Sequence, residues 1–411
     1  MGIGDVLRRR GHRVVFVIEE SFAGTLQAKG FEERLMRLSP PPAVPEVPGQ
    51  FWKDFIRDTA PVFRSDTREQ LGSFIAPTWQ ALADGARYVD DRLSEIFSEL
   101  SPDVIVQDNV CAFPAVAAGR CPWVRIVSCN PLEIADPMLP PVFSGLPAAD
   151  DGDWPAFRAE YARQVGELHA SFSQFCVQRG APPLPGLDMI HPSPWLNLYL
   201  FPDELDYRRS TPLGPTWHNL QTCVRATDEP WPAPERDGRA LVYLSLGSLG
   251  SADVELMRRL VELLADTPHR YVVSRGPRHD EYTLADNMIG EEFLPQTSVL
   301  PQVDAVITHG GNNTVTECMW FGKPMLVLPI FWDQHDNAQR VHETGYGIRL
   351  ATYALTHEEL AGAVDRLLTD AMLRARVSAA GARLRRTPGT ETAAGLIEQT
   401  GAGEDVRRPR A

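Results

Sequence analysis

The sequence predicts an α/β protein built as two doubly wound domains with a ligand cleft between them. Three observations carry this expectation. Short apolar, β-branched runs alternate with stretches of helical period, the pattern of a mainly parallel sheet covered on both faces. That alternation lapses at a stretch of prolines and charges, DEPWPAPERDG at 228–238, and then restarts, as an interdomain linker requires. Polar, glycine-bearing stretches follow the strands of the second half, where doubly wound folds place their ligands.

The elements follow in order. Residues 2–10 have amphipathic helical spacing closed by Gly11, and 12–18 form an apolar strand. Residues 79–100 predict a long helix, 104–107 a short buried strand ending at Asp108, and 123–128 another strand. The middle is expected to be irregular, with prolines and glycines dominating 131–152 and 182–186 and no regular element assigned across 154–195. Residues 195–201 are the last strand expected in this half. After the linker come strands at 241–246, 271–274, 305–308 and 325–329, with a helix at 253–264. Thr356 with Glu359 forms a capping box, and 371–399 is helical apart from an interruption at Pro388 and Gly389. The expected division is a first domain over 1–227, which the resemblance given below makes the acceptor-binding one, a linker over 228–239 and a second domain over 240–385. Residues 386–411 are expected to form a helix and tail that pack back on the first domain.

Composition excludes several functions. At 411 residues and 43 % hydrophobic the chain can bury two cores. A net charge of −14, from 40 basic and 54 acidic residues, argues against a nucleic-acid-binding surface. The basic runs at 8–10, 383–386 and 407–410 are short enough to be solvated faces or ends. The six cysteines contain no CxxC pair and several lie in apolar runs, which suits buried free thiols in a reducing, cytoplasmic setting. No apolar stretch is long enough for a membrane span, and the start lacks the apolar core of a signal peptide.

The chemistry concentrates in ITHGGNNTVTE at 307–317. A strand runs into His309, glycines let the backbone turn, and a helix opens near Asn313 with its first amides unpaired. Those amides and the helix dipole favour an anion, with Asn313 and Thr314 as further donors. Glu317, one turn along, is placed to accept from vicinal hydroxyls such as those of a ribose. Taken alone, an ordinary capped glycine turn fits the stretch equally well.

DQHDN at 333–337 reaches the same rim after the next strand, and Asp333 beside Gln334 suits adjacent sugar hydroxyls, or equally a polar helix cap. LSLGSLG at 244–250 puts Ser248 where it meets a diphosphate, but it is no GxGxxG and does not support a nicotinamide cofactor. EFLPQ at 292–296 offers Phe293, with Leu294 beside it, to stack on a base while Gln296 bonds nearby. Asp151-Gly152-Asp153 lies in a proline-rich loop and reads as solvated loop rather than a metal site. HExxH, P-loop and GxSxG motifs are absent, and no carboxylate pair is placed for epimerase chemistry.

In their order, FLPQ, THGGNNTVTE and GKPMLVLPIFWDQHDNA resemble the donor-binding signature of the family 1 glycosyltransferases. That group holds UDP-glucuronosyltransferases, plant glucosyltransferases and bacterial macrolide glycosyltransferases. The resemblance is strongest over 241–350 and weaker in the first half, through Asp108 and the layout. It implies the GT-B arrangement of two facing Rossmann-like domains. It also implies transfer of a sugar, with inversion and without a metal or other cofactor, from a UDP-sugar to a small acceptor.

By that resemblance Phe293 stacks on the uracil in place of the family's usual tryptophan, and Gln296 and Glu317 hold the ribose. Ser248, His309, Gly311, Asn313 and Thr314 bind the diphosphate, and Asp333 and Gln334 hold the sugar hydroxyls. A carboxylate that accepts from both ribose hydroxyls favours UDP over a deoxyribose donor.

Family members begin with a strand, then a glycine-rich loop carrying a histidine general base, then a helix. MGIGDVLRRRGHRV corresponds to that helix, so the strand and the base are expected to be missing, leaving a gap or new edge in the sheet. Asp108 matches the aspartate that orients the histidine, and His12 stands at the wrong end of the helix to replace it. The expected function is transfer of a hexose, glucose, to a hydroxyl of a small lipophilic natural product. The alternative is a non-catalytic nucleotide-sugar-binding homologue or auxiliary subunit.

Overall fold

The computed structural model describes residues 1–41, 58–226 and 229–404, so Asp228 of the linker and the basic run at 407–410 lie outside the described residues. Strands β7 (Leu241–Ser245), β8 (Arg270–Ser274), β9 (Met288–Glu291), β10 (Ala305–Thr308), β11 (Met325–Val327) and β12 (Gly347–Arg349) form one sheet, ordered β12-β11-β10-β7-β8-β9 and parallel throughout. Every residue of β7, β10 and β11 is buried, because helices cover both faces. The chain starts at the central β7, winds outward through β8 and β9, and crosses over to β10. The loops after β7 and β10 therefore diverge at the carboxyl edge and open a crevice there.

In the first half, β3 (Ile105–Asp108), β4 (Trp123–Val127), β5 (Leu196–Tyr199) and β6 (Trp217–Asn219) make a four-stranded parallel sheet, while β1 (Val15–Glu19) and β2 (Glu32–Met36) pair separately. The winding repeats that of the second half, one pair on one side and a crossover to the rest. Here, among the described residues, no strand bridges β1 and β3 as β7 bridges β8 and β10. Both facing edges are correspondingly open: β1 is half-buried along its length and Val106 of β3 is 39 % exposed.

Helix Gly2–Arg9 packs on helix Gly389–Gly401. Arg10 bonds Glu391 at 2.6 Å and Glu398 at 2.8 Å, and His12 Nε2 meets Glu398 at 2.9 Å. Ala393 and Ile397 join Val124, Ile126, Leu196, Leu198 and Leu220 in an apolar cluster, so the C-terminal helix completes the core of the first domain. Thr356 and Glu359 make the expected reciprocal cap.

Three expectations need correction. Trp154–Gln178, expected to be irregular, is a 25-residue helix. Its buried positions, Trp154, Phe157, Val165, His169, Phe172 and Cys176, are spread too sparsely among alanines and polar residues for the period to stand out. Residues 195–201 do not hold the last strand of that half, since β6 follows. Strands β2, β6, β9 and β12 escaped the sequence pattern because they are short and carry few apolar residues, and β2, β6, β9 and β12 all lie at sheet ends.

Candidate functional site

The carboxyl end of β10 turns through His309, Gly310 and Gly311 into helix Asn312–Phe321, one residue earlier than the sequence suggested. Gly310 takes φ +88°, and a Cβ there would sit 2.6 Å from Val327 Cγ1, so only glycine makes this turn. The His309 ring fills the space between two further glycines. A Cβ on Gly247 would come within 2.8 Å of it and one on Gly311 within 2.6 Å. Burial pushes the imidazole down to about 4, against a hydrogen bond to the Ser245 carbonyl, so the ring is neutral at pH 7 with one N–H already committed. Asn313 and Ser248 are exposed beside it, at the helix start and in the turn after β7.

One turn along, Glu317 is buried at 4 % exposure and accepts from Gln296 Nε2 at 2.6 Å. Gln296 Nε2 also reaches Thr314 Oγ1 at 3.2 Å, and its Oε1 takes the Tyr243 hydroxyl at 3.5 Å. The expected ribose pair and Thr314 are thus one hydrogen-bonded group. Phe293, three residues before Gln296, is 56 % exposed, an aromatic face turned to solvent, while Leu294 packs on the core.

Asp333 and Gln334 stand differently from the expectation that both are open to a sugar. Asp333 Oδ2 accepts from the Asn130 backbone N–H at 2.8 Å and from Asn337 Nδ2 at 3.2 Å. Gln334 Oε1 accepts from the N–H groups of Ile330 and Phe331, closing its own loop. Asp336 Oδ2 takes the Phe143 N–H at 2.6 Å, and its Oδ1 takes the Gly145 N–H at 2.8 Å. Burial raises the Asp333 carboxyl to about 7 and the Asp336 carboxyl to about 8. These two carboxylates are buried where the halves meet, bonded to loops of the first domain.

Asp108 ends β3, where Oδ1 accepts from Ser128 Oγ at 2.7 Å. Ser128 in turn lies against the start of the helix after β10, because Asn312 Nδ2 donates to the Ser128 carbonyl at 3.0 Å. Asp108 and the His309 turn therefore face each other through two side chains.

Residues 233–380 match the family described as UDP-glucoronosyl and UDP-glucosyl transferase. Over nearly the whole length, the chain is 26 % identical to demethyllactenocin mycarosyltransferase of Streptomyces fradiae, covering 97 % of this chain and 82 % of that one. It is 24 % identical to the NDP-glycosyltransferase YjiC of Bacillus subtilis (strain 168), covering 97 % and 92 %. The family match thus covers the second half of the chain, and the likeness to glycosyltransferases extends over nearly its whole length.

Solved structures agree on the fold. The glycotransferase of kitacinnamycin superposes with a TM-score of 0.65 at 22 % identity, covering 97 % of this chain and 94 % of that one. Glycosyltransferase VinC, solved in complex with dTDP, gives 0.64 at 19 % identity, covering 98 % and 95 %. The two-domain GT-B architecture is theirs and this chain's.

Three parts of the candidate site were not legible in the sequence. Arg225 Nη1 donates to Glu317 Oε1 at 2.9 Å from a segment 92 positions away. Asn312 ties the helix start to the carbonyls of Ser128 and Leu200, both at 3.0 Å. Asn337 accepts from Asn130 Nδ2 and donates to the Gly310 carbonyl. The adjacent asparagines in GGNN and the DN of DQHDN carried some signal as polar groups in apolar surroundings. Arg225 carried none, lying in an irregular stretch.

Proposed function

We propose that this enzyme transfers a hexose, glucose, from a UDP-sugar to a hydroxyl of a small lipophilic natural product, with inversion at the anomeric carbon. The observation that carries this reading is the bonded group Gln296, Thr314 and Glu317 set one helical turn from His309 at the carboxyl end of β10. A diphosphate seated at the helix start meets the free amides of its first turn and the positive end of its dipole. From there the ribose reaches Glu317 and the base reaches Phe293.

His309 stabilises the leaving diphosphate once it takes a proton, and the helix amides share the charge, so departure of UDP proceeds on this chain's own donors. Asp333 meets the sugar when the loop at 130 gives way, and Gln334 when it releases the Ile330 and Phe331 N–H groups. The acceptor enters from the side of Asp108 and Ser128, opposite the diphosphate. The free thiols and the absence, among the described residues, of a helix long and apolar enough to cross a membrane support action in the cytoplasm.

UDP-glucose and a panel of phenolic and polyketide acceptors, read by mass spectrometry, test the proposal. The panel is run on this chain and on one carrying an added N-terminal strand and glycine-rich histidine loop. A product heavier by one hexose is expected. UDP-glucose binding without transfer by either protein would sink it.

A further inference from the structure

Arg225 belongs to the first domain but bonds in the second, and a clamped stretch of backbone delivers it there. After β6, Gln221 takes left-handed backbone at φ +62°, which a non-glycine residue keeps only where surrounding contacts impose it. Its N–H donates to Asn219 Oδ1 at 2.8 Å, and its Oε1 accepts from Arg383 Nη2 at 2.6 Å. Helix Gly389–Gly401 starts against the same segment: a Cβ on Gly389 would lie 2.2 Å from the Thr222 carbonyl oxygen and 2.3 Å from that of Leu220. With Leu220 and Thr222 buried, the direction in which Arg225 leaves is fixed by the core of its own domain.

Arg225 Nη1 donates to Glu317 Oε1 at 2.9 Å. Side chains on a helix lean toward its N-terminus, and Gln296 Nε2 bonds both Glu317 Oε2 at 2.6 Å and Thr314 Oγ1 at 3.2 Å, so this carboxylate lies back over the first turn. Asn313 stands one turn earlier, about 6 Å along the axis. The guanidinium is therefore beside the helix start to which the proposed function gives the diphosphate. Its side chain keeps 28 % exposure against 5 % for that of Glu317, so a solute can reach the cation.

Charge decides what it would meet. Among the side chains assigned to the donor, Glu317 and Asp333 are acids, and burial leaves His309 neutral at pH 7. The helix start supplies about half a positive charge, too little for the several negative charges of a diphosphate next to a buried carboxylate. A guanidinium is always charged, and its planar fork matches phosphate oxygens.

We propose that Arg225 binds the diphosphate of the nucleotide sugar while keeping its bond to Glu317, so that the donor is held by a cation of the first domain and the helix start of the second. The inference rests on the reading of the His309 turn as the donor site. An arginine that serves Glu317 alone would influence the ribose and nothing beyond it. One that binds the diphosphate makes the nucleotide a bridge between the domains, and a nucleoside without phosphate gains nothing from it.

The test measures UDP and uridine affinities on the full chain by ligand-observed NMR titration. Arg225→Gln is expected to lower the ratio of UDP to uridine affinity by about tenfold to a hundredfold, the worth of a hydrogen bond between charged groups. In a Glu317→Gln background, where no buried carboxylate loses its partner, adding Arg225→Gln should still weaken UDP by about tenfold or more.

An unchanged UDP-to-uridine ratio in Arg225→Gln, or no further loss of UDP affinity in the double variant, would overturn the proposal. If Arg225→Gln alone fails to fold, the comparison within the Glu317→Gln background decides it. Wild type that binds no UDP overturns the donor reading and this inference with it, whereas UDP binding that is indifferent to Arg225 overturns this inference alone.

Discussion

The Asn130 backbone N–H donates to Asp333 Oδ2 at 2.8 Å, so a carboxylate of the second domain is held by a loop of the first. Asp336 repeats the arrangement with the N–H groups of Phe143 and Gly145. The two domains are thus joined at the point where the sugar is expected, and the joint contains titratable groups.

That joint makes stability depend on pH. Solvated aspartates titrate near about 3.9, whereas burial raises Asp333 to about 7 and Asp336 to about 8. The folded state therefore binds more protons than the unfolded one over this interval. The contribution is fully present below about pH 4 and is lost as pH rises through 7 to 8. Melting temperature should fall by about 4 °C or more between pH 5 and pH 8.5, and Asp336→Asn should flatten the dependence. An unchanged slope in Asp336→Asn would rule this account out.

UDP binding should be linked to protons through His309. The free imidazole titrates at about 4 and already spends one N–H on the Ser245 carbonyl. A phosphate raises its affinity for the second proton, so UDP binds best at low pH and weakens as pH rises from 6 toward 8. Calorimetry on His309→Gln should show the dependence gone and, at pH 6, affinity lower by about tenfold to a hundredfold.

Glu317 should read the ribose. It is buried and charge-paired with Arg225, so its oxygens have fixed directions. Wild type should prefer UDP over 2′-deoxyuridine diphosphate by about tenfold, the worth of one hydrogen bond to a charged group. Glu317→Gln should bring that ratio close to one in a competition titration. A ratio that survives the substitution would place the ribose elsewhere.

Phe293 offers a separation of binding from stability. Its ring is 56 % exposed, so Phe293→Ala should leave the melting temperature within a degree or so. If it stacks on the base, UDP affinity should drop about tenfold. Equal UDP affinity in the two proteins would return Phe293 to the bland role of a surface aromatic.

The cluster around His309 was legible because it is local. His309, Gly311, Asn313, Thr314 and Glu317 lie on one strand end and one helix, and turn chemistry and helical spacing set their relative positions within 10 residues. Gln296 joins them because the segments after β9 and after β10 leave a parallel sheet at the same carboxyl edge. The resemblance to a known donor signature named the likeness, and local geometry accounts for it.

The interdomain contacts were not legible. Asn130 and Asp333 are 203 positions apart, and Arg225 and Glu317 are 92 apart. No period or spacing links such pairs, since their approach depends on how two independently wound sheets pack.

The sequence by itself determined the alternation that winds both domains, the glycine turn that seats His309, and the helix start beside it. Tertiary structure alone decided that Asp333 and Asp336 serve the domain interface and that Arg225 answers Glu317. It also decided that Trp332 lies among the rings of the other domain. The physical reason is range: backbone hydrogen bonding and side-chain period act over a few residues, whereas burial and charge pairing act on whatever the fold brings together.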